Sequence, residues 1–547
     1  MVERVWHKDY PVEVPYSYEY PRLPLKDYFT GSAKAHPDRA FLIYRNREMS
    51  YREANTQARK LAQGLLRLGC KKADRVAIVA NNIPEFIISV QACYKIGAIV
   101  VTANPFFTTR ELEHILSDSG TETIIVIDRC LDKIQELKLE GKVSAKRIIV
   151  ISTQQQELSV PEGIPSPEVL NYADLIANNA DVEPAIEVSA DDCAVLQYTG
   201  GTTGVPKGCV VSNANLESAI YGWSTWYTLP LPAGQYPVIL NPLPLYHIYG
   251  LIGNIGLASY SAGTILLLDS LSLESIVEAI EEYQPNLLCV VPSLLVGLVH
   301  YPGIKDVNLD SLVMTGVGGD SLPEVTKLAF EALSGVPVIV GYGLSETAGS
   351  VCGQPLTDKT KAASIGVPLP DVEIRIMSLD DRLTEMPTGE LGELAIRGPQ
   401  VVSSYWNRPE ESELSFVDGW LYTGDIGLMD EEGWFYIKER KKDLIISGGF
   451  NVYPKEIDDI LYSHPSIREA CTVGIPDEAA GELIVSFIVL RPDQELSEEK
   501  VKEFCREYLA AYKIPRRVRF LDKLPKTSVG KPSRVALRKH GKPSLQD

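Results

Sequence analysis

Apolar residues along this chain fall into two rhythms. Behind a capping box at Ser50 to Glu53, the residues Ala54, Ala58, Leu61, Leu65 and Leu68 recur at helical spacing. Arg75 to Ala80 then reads RVAIVA, a continuous apolar run of the kind buried on both faces of a sheet. Pro84 to Lys95 predicts a helix opening on proline and Gly97 to Thr102 a strand. Thr108 to Glu111 caps a further helix, and Glu122 to Asp128 returns to strand. Short apolar strands separated by longer helices predict an α/β fold built on doubly wound, mostly parallel sheets.

The rhythm breaks twice. Gln154 to Val188 is polar and proline-bearing, which predicts a linker between two sheet regions. Strand-like runs then resume at Val238 to Asn241, Thr264 to Leu268, Leu287 to Val291, Leu312 to Met314 and Val336 to Val340. Around Pro368 the texture changes. Val372 to Ile376, Leu391 to Arg397 and Trp434 to Lys438 alternate apolar and polar residues between Gly/Pro/Asp turns, as half-exposed antiparallel strands do. Past Arg440 the chain becomes strongly charged. The predicted division is 1–440, a large domain with two parallel sheets and a small antiparallel barrel-like subdomain, and 441–547, a small α+β domain. Residues 1–24, with Trp6, four tyrosines and four prolines, predict an arm laid across a surface rather than a helix.

Composition narrows the function classes. The 547 residues carry a net charge of −19, which argues against a general nucleic-acid binder while permitting a local basic pocket for a polyanion. Nine cysteines are scattered without a CxxC pair, which is neither a zinc pattern nor a disulfide framework and predicts a reducing, cytoplasmic setting. The first residues lack an apolar signal region. Leu287 to Val299, broken by Pro292 and Ser293, is too short to span a bilayer.

Candidate chemistry begins at Tyr198 to Gly208, YTGGTTGVPKG, directly after the apolar run Cys193 to Leu196. A buried strand running into a Gly/Thr loop can turn backbone N–H groups and hydroxyls, Tyr198 included, toward a phosphate chain, with Lys207 adding charge. It is not a Walker A loop, because Lys207 lies between proline and glycine. Gly341 to Thr347, GYGLSET, ends a predicted strand of a parallel sheet, where ligands bind. Tyr342 between two glycines offers an aromatic face for a base, Ser345 a hydroxyl and Glu346 a carboxylate for a hard cation. Asp425, in WLYTGD, can accept two hydrogen bonds from a ribose diol, although turn aspartates are common. Lys531, in PKTSVGKPSR, stands in a loop able to reach a distant site. His247, in PLPLYHIYG, reads first as a packed or capping histidine.

Taken in order, these motifs resemble those of the adenylate-forming superfamily of acyl-CoA synthetases, luciferases and nonribosomal adenylation domains. The resemblance runs from about Leu25 to Arg534, and the arm (Trp6, Tyr10-Pro11, Val14-Pro15) is similar to that of medium- and long-chain fatty acyl-CoA ligases. It implies that Thr199, Gly200, Gly201, Thr202, Thr203, Gly204 and Lys207 hold the β- and γ-phosphates of ATP. Tyr342 with Gly343 would face adenine, with Gly318 and Gly319 lining the same pocket. Ser345 would touch the α-phosphate and Glu346 would bind Mg²⁺. Asp425 and Arg440 would hold the ribose, and Lys531 would join carboxylate to α-phosphate. Lys442 matches a hinge, Gly449 the pantetheine channel of coenzyme A, and His247 a flank of the substrate carboxylate. Ser345 replaces the commoner threonine, and Asp320-Ser321 replaces Ala-Pro, which puts the adenine amino contact in question.

The implied reaction is an AMP-forming acid–thiol ligation: a carboxylate gives an acyl adenylate and pyrophosphate, then coenzyme A takes the acyl group. An aryl-CoA ligase and an enzyme loading a carrier protein stay open as alternatives. Small residues at Gly250, Gly253, Gly316, Gly318 and Gly343 predict room for an extended chain between His247 to Gly256, Val317 to Gly319 and Gly343 to Val351. The expected partners are a small-molecule carboxylate, ATP and coenzyme A. No nucleic acid and no transmembrane segment are expected, and weak membrane-surface association, a monomer and a homodimer all stay open.

Overall fold

A computed structural model describes residues 4–540 except 154–168, 200–204, 230, 233, 358, 448–449, 478–479 and 527–530. The first sheet has seven strands in the order Val169–Asn171, Arg147–Ile151, Thr123–Ile127, Arg75–Val79, Ile99–Ala103, Cys193–Tyr198 and Gly208–Ser212. All pairings are parallel but the last. Its strands are buried almost throughout, as their continuous Val/Ile content requires. Gly97, at φ 65°, ends the helix Pro84–Ile96 in the left-handed region, so the next strand starts at Ile99 rather than at the glycine.

The second sheet has nine strands. Its parallel middle is Met314–Val317, Leu287–Val290, Val238–Leu240 and Thr264–Leu267, flanked on one side by Val338–Leu344, Gly349–Gly353 and Val367–Pro368. On the other side Ala40–Tyr44 pairs in parallel with Thr264–Leu267 and antiparallel with Arg47–Ser50, so the chain's first hairpin completes a sheet whose other members lie far along the chain. The helix Pro84–Ile96 is buried from Phe86 through Ile96. Within it the Lys95 ammonium meets Glu183 at 2.9 Å and Thr30 Oγ1 at 3.0 Å, which offsets its burial.

That contact corrects one expectation. Of the predicted linker, 154–168 lies outside the described residues, but 169–171 joins the first sheet and 172–188 packs as a helix and an irregular stretch against the large unit. Val169–Asn171 adds an edge strand, Asn171 caps the helix Tyr172–Ala177, and Leu175 packs against Gly64. Polar composition there reflects an edge position rather than independence from the sheet.

The antiparallel region is as expected: Glu373–Met377, Gly392–Arg397, Trp420–Met429, Phe416–Val417 and Phe435–Arg440 form one sheet. A short turn later, Ile445–Ser447 belongs to another, with Phe450–Val452, Gly481–Leu490, Ile467–Asp477 and Arg517–Phe520. That last sheet has its own apolar core, including Ile445, Ile457, Leu461, Ile484 and Ile488. The arm lies on the large unit. Trp6 is buried beside Phe435, Asp9 accepts from Trp434 Nε1 at 2.8 Å and pairs with Lys359, and only Val5–Asp9 coils, as a 3₁₀ turn. No helix among the described residues is long and apolar enough to cross a membrane.

Candidate active site

The carboxyl ends of the second sheet's strands carry Gly318, Gly319, Tyr342, Gly343, Ser345 and Glu346. Tyr342 stands on Val338–Leu344, and its hydroxyl donates to Asp425 Oδ2 at 2.6 Å. Asp425 is 2% exposed, and its Oδ1 pairs with Arg440 Nε at 2.9 Å. The last pair follows from register: Asp425 and Arg440 are direct cross-strand partners on antiparallel neighbours. Gly424, at φ 72°, and the Thr423 hydroxyl, which accepts from Asp425 N at 3.0 Å, aim the carboxylate inward. Burial first, and then the Asp425 charge, push the Tyr342 phenol well above its ordinary value, so it stays a donor.

The next turn presents the second cluster. Thr347 is fully buried and accepts from Leu344 N at 2.8 Å, shaping the 3₁₀ turn Ser345–Thr347. Glu346 Oε1 accepts from the Tyr405 hydroxyl at 2.9 Å, and Glu346 O accepts from Val402 N at 2.9 Å. Lys207 lies 4.9 Å over the Tyr405 ring and pairs with Glu411. The mouth of the Gly/Thr loop is closed by Thr199 N donating to Lys207 O at 2.9 Å and Lys207 N to Thr199 Oγ1 at 3.3 Å. Gly200, Gly201, Thr202, Thr203 and Gly204, and likewise Gly449, lie outside the described residues. The Tyr198 hydroxyl is a correction. It donates to Asp118 Oδ2 at 2.7 Å, away from any loop ligand, because Asp118 at a helix end also gathers Arg408 and Trp406.

His247 caps the short helix Ile248–Gly250, its Nδ1 accepting from Tyr249 N at 3.4 Å, which is the capping role that residue type predicts. Its pKa is lowered to about 4, chiefly by loss of water and further by the Lys531 ammonium. Gly318 lies 3.2 Å, measured from an added Cβ, from the Tyr249 ring, and Gly319 takes φ 90° at the end of Met314–Val317. Lys442 sits in the turn after Arg440, where partial loss of water and then the Arg440 charge lower its pKa. Ser321 N donates to Asp320 Oδ1 at 2.8 Å in an exposed turn.

At Gly250, Gly253 and Gly343 the predicted room does not lie where a side chain would stand. A Cβ on Gly343 would lie 2.1 Å from Gly349 O, on Gly250 2.2 Å from Pro244 O, and on Gly253 2.4 Å from Asn241 Nδ2. Their smallness serves close backbone approach, so the space beside them is already filled. The site also uses residues that the motifs did not single out: Tyr405, Glu411 and Asp118. The only signal for Tyr405 is an aromatic pair in the irregular stretch SSYWNRPE.

Among the described residues no three metal-ligating side chains converge. Glu346 supplies one carboxylate with one oxygen engaged by Tyr405, a set that suits a magnesium ion carried in on nucleotide phosphates. Residues 29–406 match the model of the AMP-binding enzyme family, and 456–531 match the AMP-binding enzyme C-terminal domain. The chain is 34% identical to a long-chain-fatty-acid–CoA ligase of Bacillus subtilis, over 97% of this chain and 96% of that one. It is 31% identical to a 4-coumarate–CoA ligase of Humulus lupulus, over 94% and 93%. Among solved structures, an anthranilate CoA ligase with anthranoyl-AMP aligns at TM-score 0.85 and 25% identity, over 95% and 98%. An o-succinylbenzoate CoA synthetase of Bacillus subtilis with ATP and magnesium aligns at 0.79 and 29%, over 94% and 99%. With 29–406 and 456–531 matched, and a full-length relative at 34% identity, this chain belongs to the AMP-binding enzyme family.

Proposed function

We propose that this protein activates a medium- or long-chain fatty acid with ATP, forming an acyl adenylate and then acyl-CoA with release of AMP and pyrophosphate. The observation that carries this reading is the buried cluster in which Asp425 accepts from Tyr342 and pairs with Arg440, with Glu346 held by Tyr405 on the turn that ends the Tyr342 strand. Bringing a carboxylate to a phosphate sets two anions together, so the barrier is largely electrostatic. Lys531 bridges the carboxylate and the α-phosphate. Lys207 exchanges Glu411 for phosphate oxygens, Thr199 to Gly204 cradle the β- and γ-phosphates, and Ser345 donates to the α-phosphate. Tyr342 and Gly343, with Gly318 and Gly319, form the adenine face. Asp425 has lone pairs beyond those given to Tyr342 and Arg440, and these accept the ribose hydroxyls. Glu346 holds Mg²⁺, which when bound neutralises phosphate charge. His247, neutral at pH 7, flanks the carboxylate without repelling Lys531.

The division at 440/441 and the hinge at Lys442 belong to the same reading. A turn about Lys442 withdraws Lys531 and brings the Gly449 loop to the thioester-forming centre, so one site serves two steps in succession. Nine free cysteines suit a reducing, cytoplasmic setting. The likeness to a coumarate ligase and to an anthranilate ligase favours one second reading, an aryl acid as substrate. Mass spectrometry after incubation with ATP, Mg²⁺, coenzyme A and a library of carboxylic acids tests all of this. AMP with an aliphatic acyl-CoA is expected; AMP with aryl thioesters alone would move the assignment to the aryl reading, and ADP would end it.

A further inference from the structure

Glu439 is a carboxylate only 3% exposed, near the end of the strand Phe435–Arg440. It belongs to the antiparallel sheet, yet two of its donors come from the C-terminal unit. Arg534 Nη1 meets it at 3.0 Å and Lys455 N at 2.8 Å; its own neighbour Arg440 N donates at 2.9 Å. Lys455 N lies in the first turn of the helix Pro454–Tyr462, where a negative charge is favoured, and Lys455 Nζ adds a bond to Ile437 O at 2.8 Å. Arg534 is braced on its own side by Asp458 at 3.1 Å and Asp443 at 3.7 Å. It opens the helix Arg534–His540 three positions after Lys531. On the other side, Arg440 next to Glu439 pairs with Asp425 in the nucleotide cluster.

A short covalent and ionic path therefore joins Lys531 to the base of the pocket through Glu439. We propose that Glu439 is a latch: a positioning residue that holds the C-terminal unit with Lys531 facing His247 while the acyl adenylate forms. It lies before the Lys442 turn and its partners lie after it, so rotation there must break both bonds. This rests on the ligase reading above. Because these contacts exist only in one orientation, they bias the first half-reaction and not the second.

The test uses the full-length protein with Glu439→Gln, which keeps the shape and removes the charge, and Arg534→Lys as a second variant that preserves charge but loses the fork. Adenylate formation is read by pyrophosphate exchange. Thioester formation is read from a synthetic acyl adenylate plus coenzyme A, and docking from the titration of His247 by NMR. Loss of one charge-assisted bond predicts a fall in kcat of adenylate formation of roughly 10- to 100-fold with little change in KM for ATP. Thioester formation should be unchanged or faster, and the His247 titration should move up toward its ordinary value as Lys531 leaves. Equal loss of both half-reactions, or no loss and an unmoved His247, would overturn the latch. A wild-type protein that makes no adenylate from any acid would instead overturn the ligase reading and take the latch with it.

Discussion

Lys531 and His247 belong to different matched family regions, yet the ammonium of the first helps to lower the pKa of the second. At this scale the site is read by charge. Replacing Lys531 with alanine should slow acyl-adenylate formation by roughly 10²-fold or more, as expected for loss of one preorganised cation, while thioester formation from preformed adenylate persists. Paired half-reaction assays decide it; equal loss in both would sink the two-orientation reading. The same substitution should raise the pKa of His247 from about 4 toward its ordinary 6.5, without reaching it, because burial is the larger cause. The sign for stability follows. Between pH 6.5 and 4 the unfolded chain holds more protons on this ring than the folded one. Its contribution is therefore complete above that window and is lost as pH falls through it. His247→Asn keeps a helix-capping side chain and should flatten that share of the acid loss, measured as urea unfolding at about pH 7 against about pH 4.5. Motifs singled out Tyr342, Glu346, Asp425 and Lys531, and the family resemblance supplied the roles expected of them. Tyr405 and Glu439 were not, because nothing local distinguishes a tyrosine that grips a carboxylate from one that packs.

At the scale of elements, local rules carried most of the fold. The capping boxes at Ser50 to Glu53 and Thr108 to Glu111 are present, and the continuous Val/Ile runs are buried parallel strands. What local rules missed were the less regular strands. Val169–Asn171 is too short and mixed to stand out and becomes a strand on an open edge, whereas the apolar Ala40–Tyr44 lies between Thr264–Leu267 and Arg47–Ser50. Glycines were also misread from sequence. Gly343 and Gly349 lie in facing antiparallel strands, where a methyl at Gly343 would lie 2.1 Å from a carbonyl oxygen. Gly343→Ala should cost roughly 1–3 kcal/mol or more, seen as a lower urea midpoint. Gly31, in the helix Leu25–Ala35, has open space where a Cβ would stand, with nothing within 4 Å. Gly31→Ala should stabilise by about 0.5–1 kcal/mol, so the two alanines are expected to move the midpoint in opposite directions.

For the whole molecule the open question is the acyl group. If the substrate is an aliphatic chain, each methylene buried adds about 0.8 kcal/mol, so kcat/KM should climb steeply from C6 to C12 acids. A flat profile, with benzoate or coumarate preferred, would favour the aryl reading instead. The sequence by itself determined the class of fold, the order of its units and the chemistry of the motifs. Strand and helix periodicity, caps and loop composition are local, and a short window contains their cause. Only the tertiary structure decided which motifs meet: Asp425 with Arg440 by sheet register, and Tyr342 with Asp425 across two sheets. It also decided that Gly250, Gly253 and Gly343 have close neighbours where a Cβ would stand. Proximity between distant segments depends on how the sheets pair and pack, and that pairing is set by the sum of many weak contacts along the chain. No single stretch of sequence contains it.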